Sequence, residues 1–213
     1  MKKAIIFDLD GTLWDVLEST HKSLQQVTPK YNVEEVTIEQ VIKAFGTNKE
    51  ETAKIYFPNL SIEEGIKLVD ENTLNNINLL NESGGILYPN VKETIKILNQ
   101  YFSLYIVSNC GLDEYITSFL KPNQLTEYFE DTIAASKLGI PKYEAILKII
   151  KDHNIDKAIY VGDTLKDQEA SKKANIPFIF ASYGFGEAIN PKYTINNFKE
   201  LLNLIKESDN YDR

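Results

Sequence analysis

The sequence predicts an α/β protein: a doubly wound parallel-sheet core with an all-helical cap domain inserted into it. Three observations predict it. Short β-rich runs at Lys3–Phe7, Leu104–Val107, Thr132–Ala134, Ala158–Val161 and Phe178–Ala181 alternate with helical patterns, which is the signature of a parallel sheet built from strand–helix units. Leu104-Tyr105-Ile106-Val107 and Ile159-Tyr160-Val161 are apolar on both faces, as strands covered by helices on both sides must be. The block from about Glu18 to Gly84 carries no strand signal and reads as helices alone.

The elements follow in order. Ala4-Ile5-Ile6-Phe7 is an uninterrupted apolar run and reads as a buried strand. Helices are expected over Leu17–Val27, Ile38–Phe45, Glu50–Tyr56 and Ser61–Leu80. Two of them open on a capping signal: Ser61 with Glu64 three residues on, and Thr37 with Gln40. Gly84-Gly85 marks the return to the sheet, Tyr88-Pro89 opens a core helix over Val91–Gln100, and a later helix covers Tyr143–Lys151. The expected division is a Rossmann-like catalytic core over residues 1–16 and 85–213 with a helical cap over 17–84. No internal repeat, low-complexity tract or long linker interrupts it. The polar tail Ser208–Arg213 reads as frayed.

Composition narrows the function. With 213 residues, 43% of them hydrophobic, the chain can bury a sizeable core. A formal net charge of −8 disfavours non-specific nucleic-acid binding, which needs clustered Lys and Arg. The only arginine is Arg213, so no interior guanidinium is available to clamp an anion, and lysines, backbone N–H groups, hydroxyls or a metal must serve. The single cysteine, Cys110, excludes an intramolecular disulfide and favours a reducing compartment. The apolar run after Met1-Lys2-Lys3 is too short for a signal segment, and no stretch approaches the roughly 18 apolar residues of a membrane span. The expectation is a cytoplasmic monomer or homodimer without nucleic-acid or membrane partners.

Chemistry gathers at strand ends. Asp8-Leu9-Asp10-Gly11-Thr12 follows the first strand directly, and carboxyl ends of strands are where open α/β sheets bind ligands. Ser108-Asn109 follows Leu104–Val107, a lysine (Lys142 or Lys137) precedes the helix at Tyr143, and Gly162-Asp163-Thr164-Leu165-Lys166-Asp167 follows Ile159–Val161. Carboxylates hold a hard cation such as Mg²⁺, a hydroxyl and amides hold phosphate oxygens, and a lysine offsets the remaining charge.

These residues resemble the haloacid dehalogenase-like phosphohydrolases. Asp8-Leu9-Asp10-Gly11-Thr12-Leu13 matches that family's DxDGT pattern, Ile106-Val107-Ser108-Asn109 its second motif, and Gly162–Asp167 the GDxxxD form of its fourth. The helical insert looks like the family's type 1 cap. The segments Ile86–Val91 and Tyr183-Gly184-Phe185-Gly186 look like its phosphoglycolate phosphatase-like branch. The third motif departs from the common Lys-Pro-x-Pro form; Lys142, before Glu144 and Ile146, fits a related pattern better than Lys137 does.

The resemblance implies a Mg²⁺-dependent phosphatase of small phosphomonoesters, phosphoglycolate-like or sugar phosphates, with no macromolecular substrate. It implies that Asp8 is the nucleophile and forms an aspartyl-phosphate. Asp10 would protonate the leaving alkoxide and then deprotonate water. The metal would be held by Asp8, the backbone carbonyl of Asp10, and Asp163, with Asp167 as a further ligand or acting through water and the lysine. Ser108, the amides of Asn109 and Gly11, and Lys142 would bind the phosphoryl group, with Thr12 beside them orienting Asp10. The loop Gly46-Thr47-Asn48-Lys49 would face the leaving group, with Lys49 supplying positive charge for an acidic substrate. A sugar phosphomutase of the same fold and a phosphate-accepting signalling module are the alternatives. Isomerised product would mark the first, and a stable phosphoenzyme without turnover the second.

Other residues have plainer readings. Trp14 packs the junction of core and cap, Cys110 is a buried small apolar group, and His21 and His153 are surface or cap positions. Gly184-Phe185-Gly186 lacks the third glycine of a dinucleotide loop and reads as a turn near the site mouth.

Overall fold

The computed structural model describes residues 1–210, with side chains through Ile205; the last three residues of the tail Ser208–Arg213 lie outside the described residues, as do all its side chains. The chain runs β1 (Lys3–Phe7), β2 (Trp14–Asp15), α1 (Leu17–Val27), α2 (Ile38–Ala44), α3 (Lys49–Tyr56), α4 (Ile62–Ser83), β3 (Ile86–Leu87), α5 (Val91–Leu98), β4 (Ser103–Ser108) and α6 (Asp113–Leu120). It continues through β5 (Asp131–Ala134), α7 (Ala135–Leu138), α8 (Lys142–Asp152), β6 (Lys157–Gly162), α9 (Leu165–Lys173), β7 (Phe178–Ala181), β8 (Tyr193–Ile195) and α10 (Leu201–Asn210). The expected tail from Ser208 thus begins as the last turn of α10.

Six strands form one parallel sheet in the order β5-β4-β1-β6-β7-β8. The connections wind outward from β1 on one side and then on the other, so the switch point lies at the carboxyl end of β1, where such sheets open a crevice. Register fixes what emerges there. Phe7 is level with Ile106 of β4 and with Val161 of β6, so Asp8, Ser108 and Asp163 leave their strands within a residue of one level.

The period-two alternation of β1 sends Ile5 and Phe7 to one face and Ala4 and Ile6 to the other. Ile5 and Phe7 pack with Ile95 of α5, Phe119 of α6 and Phe198 in the short turn that leads into α10. Ala4 and Ile6 pack with Ile146, Ile149 and Ala170 beneath α8 and α9. The inserted helices bury a cluster of their own, including Leu24, Val41, Tyr56 and Leu68. The Ser61–Glu64 and Thr37–Gln40 capping boxes are both formed, and α4 ends on Gly84 at φ 76°, the left-handed geometry glycine tolerates.

Sequence reasoning misses two features. The antiparallel ribbon of β2 and β3 carries the chain out to α1 and back from α4, but two residues per strand are too few to show a period. Strand β8 has three residues between polar, Asn- and Lys-rich stretches. Among the described residues no helix is long and apolar enough to cross a membrane.

Candidate active site

Asp8 stands at the end of β1, almost wholly buried. The ammonium of Lys142, the first residue of α8, donates to Asp8 Oδ1 at 2.9 Å and to Asp167 Oδ1 at 2.7 Å. Asp167 is itself locked: its Oδ2 accepts from the Thr164 N–H at 3.0 Å and the Thr164 hydroxyl at 2.6 Å, the capping box that starts α9. The cap of one helix therefore aims the carboxylate that holds the lysine. Lys137 takes no part, since it pairs with Asp113 near the surface.

Asp163 completes the cluster. Its Oδ2 accepts from the Phe185 N–H at 2.8 Å and its Oδ1 from the Thr12 hydroxyl at 3.3 Å. Asp8, Asp163 and Asp167 each bring an oxygen within 4.8 Å of the others. The backbone approaches very closely here. Gly11, at φ 77°, and Gly184 both lie where a Cβ would overlap Asp163. Tyr183–Gly186 is thus a wall of the acidic cluster, and the recurrence of small residues around Phe185 was its only sequence signal.

The electrostatics test whether these residues fit a cation. One ammonium faces three buried carboxylates. Burial, reinforced by the charge of Asp167, pushes Asp8 up to about 7 against the pull of Lys142. Burial and the neighbouring carboxylates hold Asp163 well above the usual carboxylate range. Burial alone would lower Lys142, but Asp167 and Asp8 outweigh it and keep the ammonium charged. A buried cluster of oxygen-only donors, with three carboxylates to one ammonium, fits a hard divalent cation.

Asp10 lies outside that cluster. Its Oδ1 accepts from Trp14 Nε1 at 2.7 Å and from the Tyr115 hydroxyl at 2.9 Å, while burial pushes its carboxyl up to about 6. Two expectations change accordingly. Thr12 does not orient Asp10, because its hydroxyl reaches Asp163; Trp14 and Tyr115 do the orienting. The Gly11 N–H is already given to the Trp14 carbonyl at 3.0 Å, so that amide is not free for a phosphoryl oxygen. Trp14 also packs edge-on to Tyr115 and Phe119 of α6.

Ser108 is buried at the end of β4, and its Oγ accepts from the Cys110 N–H at 3.3 Å. Asn109 joins core to insert: its Nδ2 donates to Gly46 O at 2.9 Å, and its carbonyl accepts from Ser136. Burial pushes the neighbouring Cys110 thiol up to about 12, away from thiolate chemistry. A cavity of about 130 Å³ lies between the strand ends and the inserted helices, and Asp8, Asp10, Ser108, Asn109 and Lys142 all reach it. Of the insert loop, Gly46, Thr47 and Lys49 line this cavity; Asn48 caps α3 instead, accepting from the Glu51 N–H at 2.9 Å. Lys49 bonds Asp70 of α4 at 2.5 Å.

The comparisons agree with this geometry. The sequence profile of the haloacid dehalogenase-like hydrolases matches residues 5–181. A phosphoglycolate phosphatase of Aquifex aeolicus is 26% identical over 210 residues, covering 95% of this chain and 96% of that protein. One from Vibrio vulnificus is 27% identical over 223 residues, covering 95% and 96%. A haloacid dehalogenase-like family hydrolase from Streptococcus pneumoniae superposes with a TM-score of 0.81 over 96% of this chain and 98% of that one, at 21% identity, a likeness of fold.

Proposed function

This chain belongs to the haloacid dehalogenase-like hydrolase family, and from that premise we propose that it is a Mg²⁺-dependent phosphatase of small phosphomonoesters working through an aspartyl-phosphate on Asp8. One observation carries the reading. Asp8 is fixed at the strand end by Lys142, with Asp163 beside it and Asp10 held separately by Trp14 and Tyr115. Two carboxylates two residues apart thus occupy different environments, which separates a nucleophile from an acid/base.

In this reading an Asp8 oxygen attacks phosphorus, the ester P–O bond breaks, and Asp10 gives its proton to the departing alkoxide. Water then attacks the phosphoryl group, Asp10 takes the proton, and the bond from phosphorus to Asp8 breaks. Lys142, Ser108 and the Asn109 amide face the phosphoryl oxygens. Asp8, Asp163 and the Asp10 carbonyl would hold the metal, while Asp167 serves by fixing Lys142. Bound Mg²⁺ supplies charge neutralisation that lets an anionic ester approach the carboxylate.

Residues 17–84 would act as the cap, excluding bulk water over the leaving group, and residues 1–16 and 85–213 as the core. The cavity size suits a small ester, phosphoglycolate-like or a sugar phosphate, in the cytoplasm. The test is phosphate release across small esters with and without Mg²⁺. Release should require the metal and vanish in Asp8→Asn while the circular dichroism spectrum is kept; turnover persisting in that variant would sink the mechanism.

A further inference from the structure

The insert presents the cavity with a buried hydroxyl that bonds nothing. Tyr56 ends α3 and is 7% exposed, its ring edge-on to Phe57 in the insert's own apolar cluster. It lines the cavity whose core side carries Asp8, Asp10 and Tyr115. Its hydroxyl has no hydrogen-bond partner among the described residues, and it is not sealed off from the cavity. Buried tyrosine hydroxyls normally find a partner, and one left open at a cavity calls for a group from outside the protein.

Neighbouring donors are engaged. The hydroxyls of Thr47, Thr52 and Thr73 are given to the carbonyls of Ala44, Asn48 and Val69. Tyr115 gives its own to Asp10, and Lys49 is paired with Asp70. Burial and the charge of Asp10 push the Tyr56 phenol up from its usual range, so it stays protonated and able to donate at neutral pH. On α4 the same cavity meets Asn72, 5% exposed. Its Oδ1 is sealed, so the accessible atom of the amide is Nδ2, a second donor without a partner among the described residues. The insert wall therefore offers neutral donors to whatever departs from phosphorus.

Resting on the phosphatase reading above, we propose that Tyr56 is a specificity-determining residue: its hydroxyl, joined by Asn72 Nδ2, donates to an oxygen carried by the leaving group. Esters with an acceptor oxygen beyond the ester carbon are then turned over in preference to plain alkyl esters. The shared chemistry is the acceptor, which a carboxylate or a hydroxyl on the neighbouring carbon supplies equally. Selection of this kind is sharp, because an ester without the acceptor leaves a buried donor both unpaired and stripped of water.

The experiment measures kcat/KM with Mg²⁺ for 2-phosphoglycolate, glycerol 3-phosphate and ethyl phosphate, in wild type and Tyr56→Phe. Wild type should prefer one or both of the acceptor esters to ethyl phosphate by about ten-fold or more, and whichever is preferred identifies carboxylate or hydroxyl as the acceptor. Tyr56→Phe keeps the ring against Phe57 and should lower that preference by about ten-fold, while ethyl phosphate changes less than about two-fold. Its melting temperature should hold, since an unpartnered hydroxyl is removed. If Tyr56→Phe does not fold, Asn72→Leu, which deletes the second donor, reads the same ratio. An unchanged preference in the folded variant overturns the proposal, as does a wild type without preference. An equal loss for all three esters also overturns it, because the hydroxyl would then act through Asp10 or through packing. Release from none of the three esters overturns the phosphatase reading itself, and this inference with it.

Discussion

Phe45 and Phe185 stack nearly face to face, ring centroids 4.1 Å apart and planes 14° from parallel. Phe45 follows α2 in the helical insert, whereas Phe185 follows β7 and gives its N–H to Asp163. One loop residue thus buttresses the acidic cluster through its backbone and holds the insert through its ring. The Lys166–Glu51 ion pair and the Asn109–Gly46 hydrogen bond flank this contact.

The stack yields a prediction about closure. A pair of this kind contributes ~0.5–1.5 kcal/mol beyond area burial. Phe185→Ala keeps the N–H on Asp163 and removes only the ring. KM for small esters should rise several-fold, and small-angle scattering should show a larger radius of gyration. Phe185→Tyr should restore both. An unchanged radius together with unchanged KM would show that the ring does not hold the insert closed.

Lys142 and Lys137 separate cleanly by environment. Lys142→Met leaves Asp8 and Asp167 facing one another without their ammonium, and breaking a buried pair costs about 3–5 kcal/mol. The urea midpoint should fall, phosphate release should drop by a hundred-fold or more, and added Mg²⁺ should recover stability more than it recovers activity. Lys137 sits in an exposed pair with Asp113, where solvent and salt screen the attraction. Lys137→Ala should therefore change both measurements little. The reverse pattern would exchange the two lysines.

Tyr115 tests the positioning of Asp10. Tyr115→Phe deletes one of the two hydrogen bonds to Asp10 Oδ1 and keeps the edge-on packing on Trp14. A neutral donor bond is worth ~0.5–1.5 kcal/mol, and one to a charged group more. kcat should fall several-fold with KM nearly constant, since the group oriented is the proton carrier and not the phosphoryl site. A rise in KM alone would place Tyr115 with the leaving group.

The core was legible because burial on both faces writes long apolar runs, so β1 and β7 were bounded to the residue and β4, β5 and β6 to within a residue or two. The capping boxes of α2 and α4 were legible because their chemistry is local. The expected cluster Asp8, Lys142, Asp163 and Asp167 comes together because each residue follows, or faces, a strand end whose register is fixed. What escaped was set by contacts distant in sequence. The Tyr115 bond to Asp10 spans 105 residues and the Phe185 bond to Asp163 spans 22, and no local pattern announces either. Asn48, read as a specificity residue, follows the ordinary rule that asparagine before a helix caps it.

Glu130 supplies a pH test away from the site. Its Oε2 accepts from Lys2 Nζ at 2.8 Å and from the Tyr105 hydroxyl at 2.6 Å, tying the first residues of the chain to the start of β5. Burial would raise this carboxyl, but the hydrogen bonds from Lys2, Ser103 and Tyr105 outweigh it and hold it down at about 2. A depressed folded value contributes stability above the ordinary glutamate value of ~4.3 and loses it as pH falls toward the folded value. The window is therefore roughly pH 5 down to 2. Because Lys2 is 33% and Glu130 42% exposed, screening keeps the contribution below about 1 kcal/mol. The difference in urea midpoint between wild type and Glu130→Gln should be largest near pH 7, shrink steadily between pH 5 and 3, and narrow in high salt. A difference that grows on acidification would mean that Glu130 is held protonated, and that the three donors do not act as the geometry indicates.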